Sequence, residues 1–324
     1  MARLSILERE KATNEARKVY KEIEKVFGRV PNIFKTYAHL PPLLKANWEK
    51  LKGLMMGGSL RRDAVSMQKR TEDPNEGQRY RFEHLALPIV LRDLYFSTSD
   101  PGPGDRVPEF DLPTVDGGRF RSTDLAETGP ALLIFGSSTC PVTDNAAPGL
   151  NDLHLHFGDR VRFVIVNVRE AHPGKAFPQP RTLDAKMAHA ERLRDLHGFE
   201  FEVAVDDVDG TLHRALSPKP NSAYVLGADG TILFRAQWAN ETKALAVALD
   251  AIVAGESPRP SQIGGVVKPT LRMLRNIAPV LDRAGSGAWA DMWRVAPPLA
   301  AIALGFKALR VRHQTGECHE RVSR

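Results

Sequence analysis

Apolar residues gather into short runs in the middle of the chain and into helical spacing at both ends. The runs at 109–112, 131–135, 161–168, 201–205, 223–227 and 231–234 have strand length and are bounded by Gly, Pro, Asp or Asn. Amphipathic stretches at 141–157, 183–196, 209–216 and 241–253 alternate with them and predict helices, with Asp209 as the candidate cap of the third. Strands separated by helices imply a parallel sheet. Asp229-Gly230 between the last two runs predicts a two-residue hairpin that adds antiparallel strands.

The two ends read differently. Ala16, Val19, Ile23, Val26 and Phe27 repeat at helical spacing up to Gly28, and Pro31 and Pro41 open two further helices that stop at Gly57-Gly58. A polar, Arg-rich stretch and a second loop rich in Pro, Gly and Asp follow. The expected organisation is a helical module over 1–60, a connector over 61–104, an α/β domain over 105–254 and a basic helical extension over 255–324. In that extension 267–281 has helical spacing, and Trp289, Trp293 and the apolar run 295–306 come after it. The run is shorter than the roughly 20 residues needed to span a bilayer, and Pro297-Pro298 is expected to interrupt it.

Charge changes this picture in one place. The chain of 324 residues carries a net +6, and from Gly255 onward eleven Lys/Arg stand against five Asp/Glu, an excess that equals the whole. The rest balances, so nothing supports nucleic-acid binding by the central domain. The tail is read as a helix packed on the protein, with contact to an anionic membrane surface as the less favoured alternative. Two cysteines exclude a disulfide scaffold and fit a reducing, cytoplasmic compartment, as does a charged N-terminus without an apolar leader core. No Gly-x-Gly-x-x-Gly follows a strand, so no dinucleotide cofactor is expected. His313, Cys318 and His319 are too sparse on a charged terminus to predict a metal site.

The chemistry concentrates at Phe135-Gly136-Ser137-Ser138-Thr139-Cys140-Pro141. A strand breaks into a polar loop, and Cys140-Pro141 opens a helix whose unpaired N–H groups and dipole favour a thiolate. Pro141 suits the first helical position. A buried, inert cysteine is the competing reading. In a parallel pair Cys140 and His172 emerge at the same C-terminal sheet edge, where open α/β sheets bind ligands. Pro220 precedes an antiparallel strand on the other flank and is expected at that edge. His172 is then placed to hold the thiolate as an ion pair or to give a proton to a leaving group, unless it merely satisfies loop hydrogen bonds. Ser138 and Thr139 are candidate donors to the thiolate or to a substrate oxygen. Glu170 either orients His172 or, more in keeping with a loop, is a solvated carboxylate.

The order Phe135 to Pro141, Glu170-Ala171-His172, Val205-Asp206-Asp207 and Pro220 to Leu226 resembles the iodothyronine deiodinases, which share a thioredoxin-like architecture with peroxiredoxins and other redoxins. The resemblance implies a thioredoxin-like fold with helical extensions, Cys140 standing where those enzymes have selenocysteine, and Ser138 where they usually have cysteine. The peroxiredoxin pattern is half met, since Ser137 is suitably placed but Leu133 replaces its proline. Residues 21–58 resemble the first helices of carboxymuconolactone decarboxylase-like proteins, whose redox branch uses a Cys-x-x-Cys pair; this chain has no cysteine before Cys140. What remains implies a partial module for packing or homodimer formation.

The expected function is a thiol-dependent oxidoreductase acting on peroxide, disulfide or carbon–halogen substrates. Cys140 is its nucleophile, His172 its partner, an external thiol its reductant, and Cys318 a candidate resolving thiol. A non-enzymatic scaffold on the same fold is the alternative.

Overall fold

The computed structural model describes residues 7–27, 30, 32–56, 80–94, 100–216, 219, 221–259 and 267–322. The chain divides into two compact units, Met1–Thr71 and Glu72–Arg324. In the first, helices α1 (Asn14–Phe27), α2 (Asn32–Tyr37) and α3 (Pro41–Met56) bury Ala16, Tyr20, Ile23, Leu44 and Trp48 against one another. The Trp48 indole N–H donates to Glu22 at 2.9 Å, so its polar edge stays satisfied at the rim of that core.

The second unit begins, among its described residues, with Tyr80 and helix α4 (Leu87–Leu94). A small antiparallel ribbon, β1 (Asp111–Pro113) and β2 (Arg119–Arg121), and a single helical turn, α5 (Leu125–Thr128), lead into the main sheet. That sheet holds β3 (Ala131–Gly136), β4 (Arg162–Asn167), β5 (Glu202–Val205), β6 (Ala223–Leu226) and β7 (Ile232–Ala236), in the order β5-β4-β3-β6-β7. The three strands β3, β4 and β5 run parallel, and β6 and β7 are antiparallel.

Helices α6 (Pro141–Phe157), α7 (Leu183–His197), α8 (Thr211–Ala215) and α9 (Thr242–Val253) connect and cover the strands. This is the expected thioredoxin-like α/β arrangement. Every residue of β3 is buried because it is the central strand, with apolar clusters on both faces.

Asp209 does not cap α8. Asp206 does: its carboxylate accepts from Leu212 N at 3.2 Å and His213 N at 2.9 Å, while Asp207 accepts from Thr211 N at 3.1 Å. The strand β5 ends one residue before Asp206, which leaves that carboxylate under the helix start.

After α9 come α10 (Val267–Ala284), α11 (Ser286–Val295) and α12 (Pro297–Val322). They share a core of Ile277, Leu281, Ala284, Ala288 and Met292. Pro297 and Pro298 start α12 instead of interrupting it, since the first turn of a helix needs no N–H from them. Among the described residues no helix is long and apolar enough to cross a membrane. The extension is packed on the domain: Arg283 of α10 forms a bidentate pair with Asp144 of α6 at 2.9 and 3.0 Å.

Candidate functional site

Strands β3 and β4 are paired in parallel from Ala131↔Arg162 to Gly136↔Asn167, so both release the chain at one edge. Cys140 lies four residues beyond β3 and His172 five beyond β4. The narrowness of Gly136 matters here. A Cβ on it would come within 2.8 Å of Ile165 and 3.2 Å of Thr143, and Thr143 is one of the residues facing the sulfur.

Cys140 occupies the N-cap of α6 with an extended backbone, and Pro141 is the first helical residue. Its side chain is 2% exposed. Burial pushes the thiol pKa up, opposed by the N–H and hydroxyl of Thr143, the N–H of Val142 and the amide of Asn221. The Asn221 Nδ2 donates to Sγ at 3.7 Å. The sequence-based expectation of a ready thiolate is therefore corrected. The helix start supplies its donors, but the apolar enclosure outweighs them and holds the resting group as a thiol.

His172 is corrected in the same direction. Burial lowers its pKa to about 4, with Asp291 pulling weakly the other way, so the ring is neutral near pH 7 and forms no ion pair with Cys140. Its Nδ1 is buried without a hydrogen-bond partner, as is Oδ1 of Asn221. Both residues line the same cavity as the sulfur.

The loop residues have other roles than expected. Ser138 and Thr139 do not serve the sulfur. Ser138 Oγ donates to the carbonyl of His189 at 3.4 Å, while Thr139 donates to Glu170 Oε2 through its N–H at 2.9 Å and its hydroxyl at 2.6 Å. Thr139 Oγ1 in turn accepts from His172 N at 3.1 Å. Glu170 is fully buried rather than solvated, is not hydrogen-bonded to His172 Nδ1, and its other oxygen pairs with His189 Nδ1 at 2.8 Å. Gln179 closes the arrangement by pairing with the Glu170 backbone at 3.0 and 2.7 Å. Glu170 thus ties the cysteine loop to the histidine loop from beneath. Pro220 lies outside the described residues. Cys318 falls on α12, but its side chain also lies outside them.

The cavity beside Sγ has a volume of about 140 Å³. Cys140, Val142, Ala171 and Trp238 form an apolar cluster at its floor, with Leu94 and Met273 packed against them. Its polar groups, Asp93, His172, Lys219, Asn221 and Thr270, are few among apolar walls. Burial lowers the Lys219 pKa. Thr143, Asn221 and Trp238 were not anticipated from sequence. Thr143 had a visible signal, since the third residue of a helix carries an unpaired N–H aimed back at the cap. Asn221 sits beside Pro220, the residue singled out.

A deeper polar cluster backs the site. Arg169, 1% exposed, donates from Nη2 to both Asp93 carboxylate oxygens at 2.7 and 2.9 Å and lies over the rings of Tyr80 and Phe82, each 5.1 Å away. The Tyr80 hydroxyl meets His213 Nδ1 at 2.8 Å, and His213 Nε2 meets the Lys219 carbonyl at 2.7 Å. A carbonyl only accepts, so Nε2 carries the proton and Tyr80 donates to Nδ1.

Comparison with curated proteins gives no match. Among solved structures, an uncharacterised conserved protein from Geobacillus kaustophilus aligns at 19% identity and TM-score 0.41, over 51% of this chain and 89% of that one. Peroxidoxin BcpB from Mycobacterium tuberculosis aligns at 21% identity and TM-score 0.37, over 47% and 98%. A putative thiol:disulfide interchange protein DsbE from Chlorobium tepidum aligns at 22% and 0.38, over 47% and 99%. Residues 103–235 match the AhpC/TSA family, and the helices that complete the cavity, α4 and α10–α12, lie outside that match.

Proposed function

We propose that this protein is a thiol-based oxidoreductase in which Cys140 reduces a peroxide. The observation that carries the reading is the set of donors around Sγ: Val142 N–H, Thr143 N–H and hydroxyl, and Asn221 Nδ2. They are fixed before reaction, so sulfur gains no stabilisation from them as a neutral thiol that it does not exceed as an anion. The similarity of residues 103–235 to the AhpC/TSA family supports the same chemistry.

In the proposed step the sulfur attacks one peroxide oxygen, an S–O bond forms and the O–O bond breaks. The thiol proton passes to the departing alkoxide, giving sulfenic acid and an alcohol. His172, a neutral imidazole lining the cavity, is the group that relays it. Two equivalents of an external thiol then return the sulfenic acid to thiol, releasing water and a disulfide. Unpartnered Asn221 Oδ1 and His172 Nδ1 suit a substrate with an O–H beside the reacting bond. That favours a hydroperoxide over a disulfide. Deiodination is disfavoured by sulfur in place of selenium.

The test is stopped-flow peroxide consumption with excess dithiol, alongside iodide release from an iodinated phenol. We expect peroxide turnover to exceed iodide release, and Cys140→Ser to abolish both. The raised thiol pKa favours one other reading, a redoxin-fold binding module whose cavity holds a small ligand without turnover. Failure of every peroxide to convert Cys140 to a sulfenic acid, by mass spectrometry, selects that module instead.

A further inference from the structure

We infer that the helices outside the redoxin domain select the substrate, by roofing Cys140 with a compartment that admits a compact apolar organic group and turns away long-chain, bulky or protein oxidants. The inference deepens the peroxide reading and rests on it for the identity of the reacting group.

The floor of the cavity belongs to the domain, but its roof comes from both flanks of the chain: Val90 and Leu94 of α4, Met273 and Ile277 of α10, Met292 of α11, and Leu299 of α12. Leu94 and Met273 pack directly on the cluster that contains Cys140. An apolar protein cavity of about 150 Å³ accommodates benzene, and this one measures about 140 Å³. Two of the six roof residues are methionines, whose flexible thioethers mould to small ligands of varied shape.

The roof is fastened at three points. Asp93 of α4 is held by Arg169 through two bonds of 2.7 and 2.9 Å. Asp144 of α6 holds Arg283 of α10 through two bonds of 2.9 and 3.0 Å, and Arg283 also donates to the Ser138 carbonyl in the cysteine loop. The two flanks are stitched to each other, because Asp291 of α11, 1% exposed, accepts from Leu85 N at 2.9 Å. The end of α10 is seated so closely on the loop after His172 that a Cβ on Gly174 would lie 2.2 Å from the Ala284 carbonyl. A redoxin domain without these flanks would present its thiol at an open sheet edge. Here Sγ is reached through a shaped apolar space.

The experiment uses the full chain and reads Cys140 by peptide mass spectrometry. Sulfenic acid formation is timed with hydrogen peroxide, tert-butyl hydroperoxide and a long-chain fatty-acid hydroperoxide. Thiol blocking is timed separately with methyl methanethiosulfonate and with a bulky dianionic aryl disulfide. We expect tert-butyl hydroperoxide to outpace the long-chain peroxide by at least tenfold, in line with what apolar pockets discriminate. The small blocking reagent should outpace the bulky one by a ratio at least tenfold above that in the denatured chain.

Met273→Ala should narrow both ratios. Met273→Trp, which fills the space, should slow tert-butyl hydroperoxide at least tenfold more than it slows hydrogen peroxide. Equal rates across the size series, or ratios unmoved by both variants, overturn the inference even where hydrogen peroxide oxidises Cys140 normally. Silence toward all peroxides with size-selective blocking refutes the peroxide reading and leaves the compartment standing.

Discussion

At the scale of single residues, the decisive balance is at Cys140. Enclosure raises its pKa, and the donors of Thr143, Val142 and Asn221 lower it by less. The nucleophile is the thiolate, so reactivity should keep climbing with pH. We expect iodoacetamide alkylation of Cys140 to rise about tenfold per pH unit through pH 8, with a midpoint above the free-cysteine value of about 8.5. A plateau already reached near pH 7 would contradict the enclosure. Asn221→Ala removes one donor to the developing anion. A hydrogen bond to a charged group contributes about 1.5 kcal/mol, so Cys140 oxidation should slow about tenfold at fixed pH. His172→Ala should slow peroxide turnover about a hundredfold, the lower range for a proton-relaying group, without preventing slow oxidation of the thiol. Stopped-flow rates on the purified variants check both.

At the scale of elements, Glu170 makes the edge of β3 and β4 into one rigid piece. Replacing it by Ala leaves the Thr139 N–H and hydroxyl and the His189 ring without their acceptor inside the protein. Leaving a buried donor without its acceptor costs about 1–3 kcal/mol, so Glu170→Ala, which strands several, should lower stability by at least that order in urea unfolding. Glu170→Gln, which keeps an acceptor, should lose less.

The two buried imidazoles carry a pH signature. An unfolded histidine takes a proton near 6.5, but His172 in the fold does so only near 4, and burial holds His213 well below 6.5 as well. Between those values the unfolded state binds more protons, so stability falls as pH drops from 6.5 toward 4. Unfolding midpoints across that window should flatten in His172→Gln.

The elements were legible in the sequence where their patterns were long. The runs 131–135 and 161–168 became β3 and β4, and 141–157 became α6 residue for residue. The strand β2 escaped notice because Phe120 alone is buried between two exposed arginines, too short a pattern for a period of two. Cys140 and His172 were placed at one edge by topology alone. Their electrostatics were not, because the burial that sets them comes from α4 and α10–α12, far away in sequence. Glu170 looked solvated for the same reason: nothing near it in the chain announces that Thr139 and His189 enclose it.

At the scale of the whole molecule, the described lining of the cavity falls within one compact unit. Leu85 is the first residue in sequence to line the cavity, and the roof, its fastenings and the backing cluster of Tyr80, Arg169 and His213 all belong to the unit from Glu72 onward. Part of the C-terminal excess of charge is neutralised inside that unit, where Arg283 pairs with Asp144. Among the described residues, every one that lines the cavity belongs to that unit. A chain truncated to begin at Glu72 should oxidise Cys140 with tert-butyl hydroperoxide within about threefold of the intact protein, a difference under 1 kcal/mol in the barrier. Removing the other flank should have the opposite effect. A chain ending near Gly255 loses α10–α12 and with them Met273, Ile277, Met292 and Leu299, so its thiol opens to solvent. In that chain the bulky aryl disulfide should react with Cys140 at least tenfold faster than in the intact protein, while preference for an apolar hydroperoxide disappears. Where that truncation fails to fold, Arg283→Met in the full chain removes one fastening and should move the same two rates in the same directions by a smaller factor.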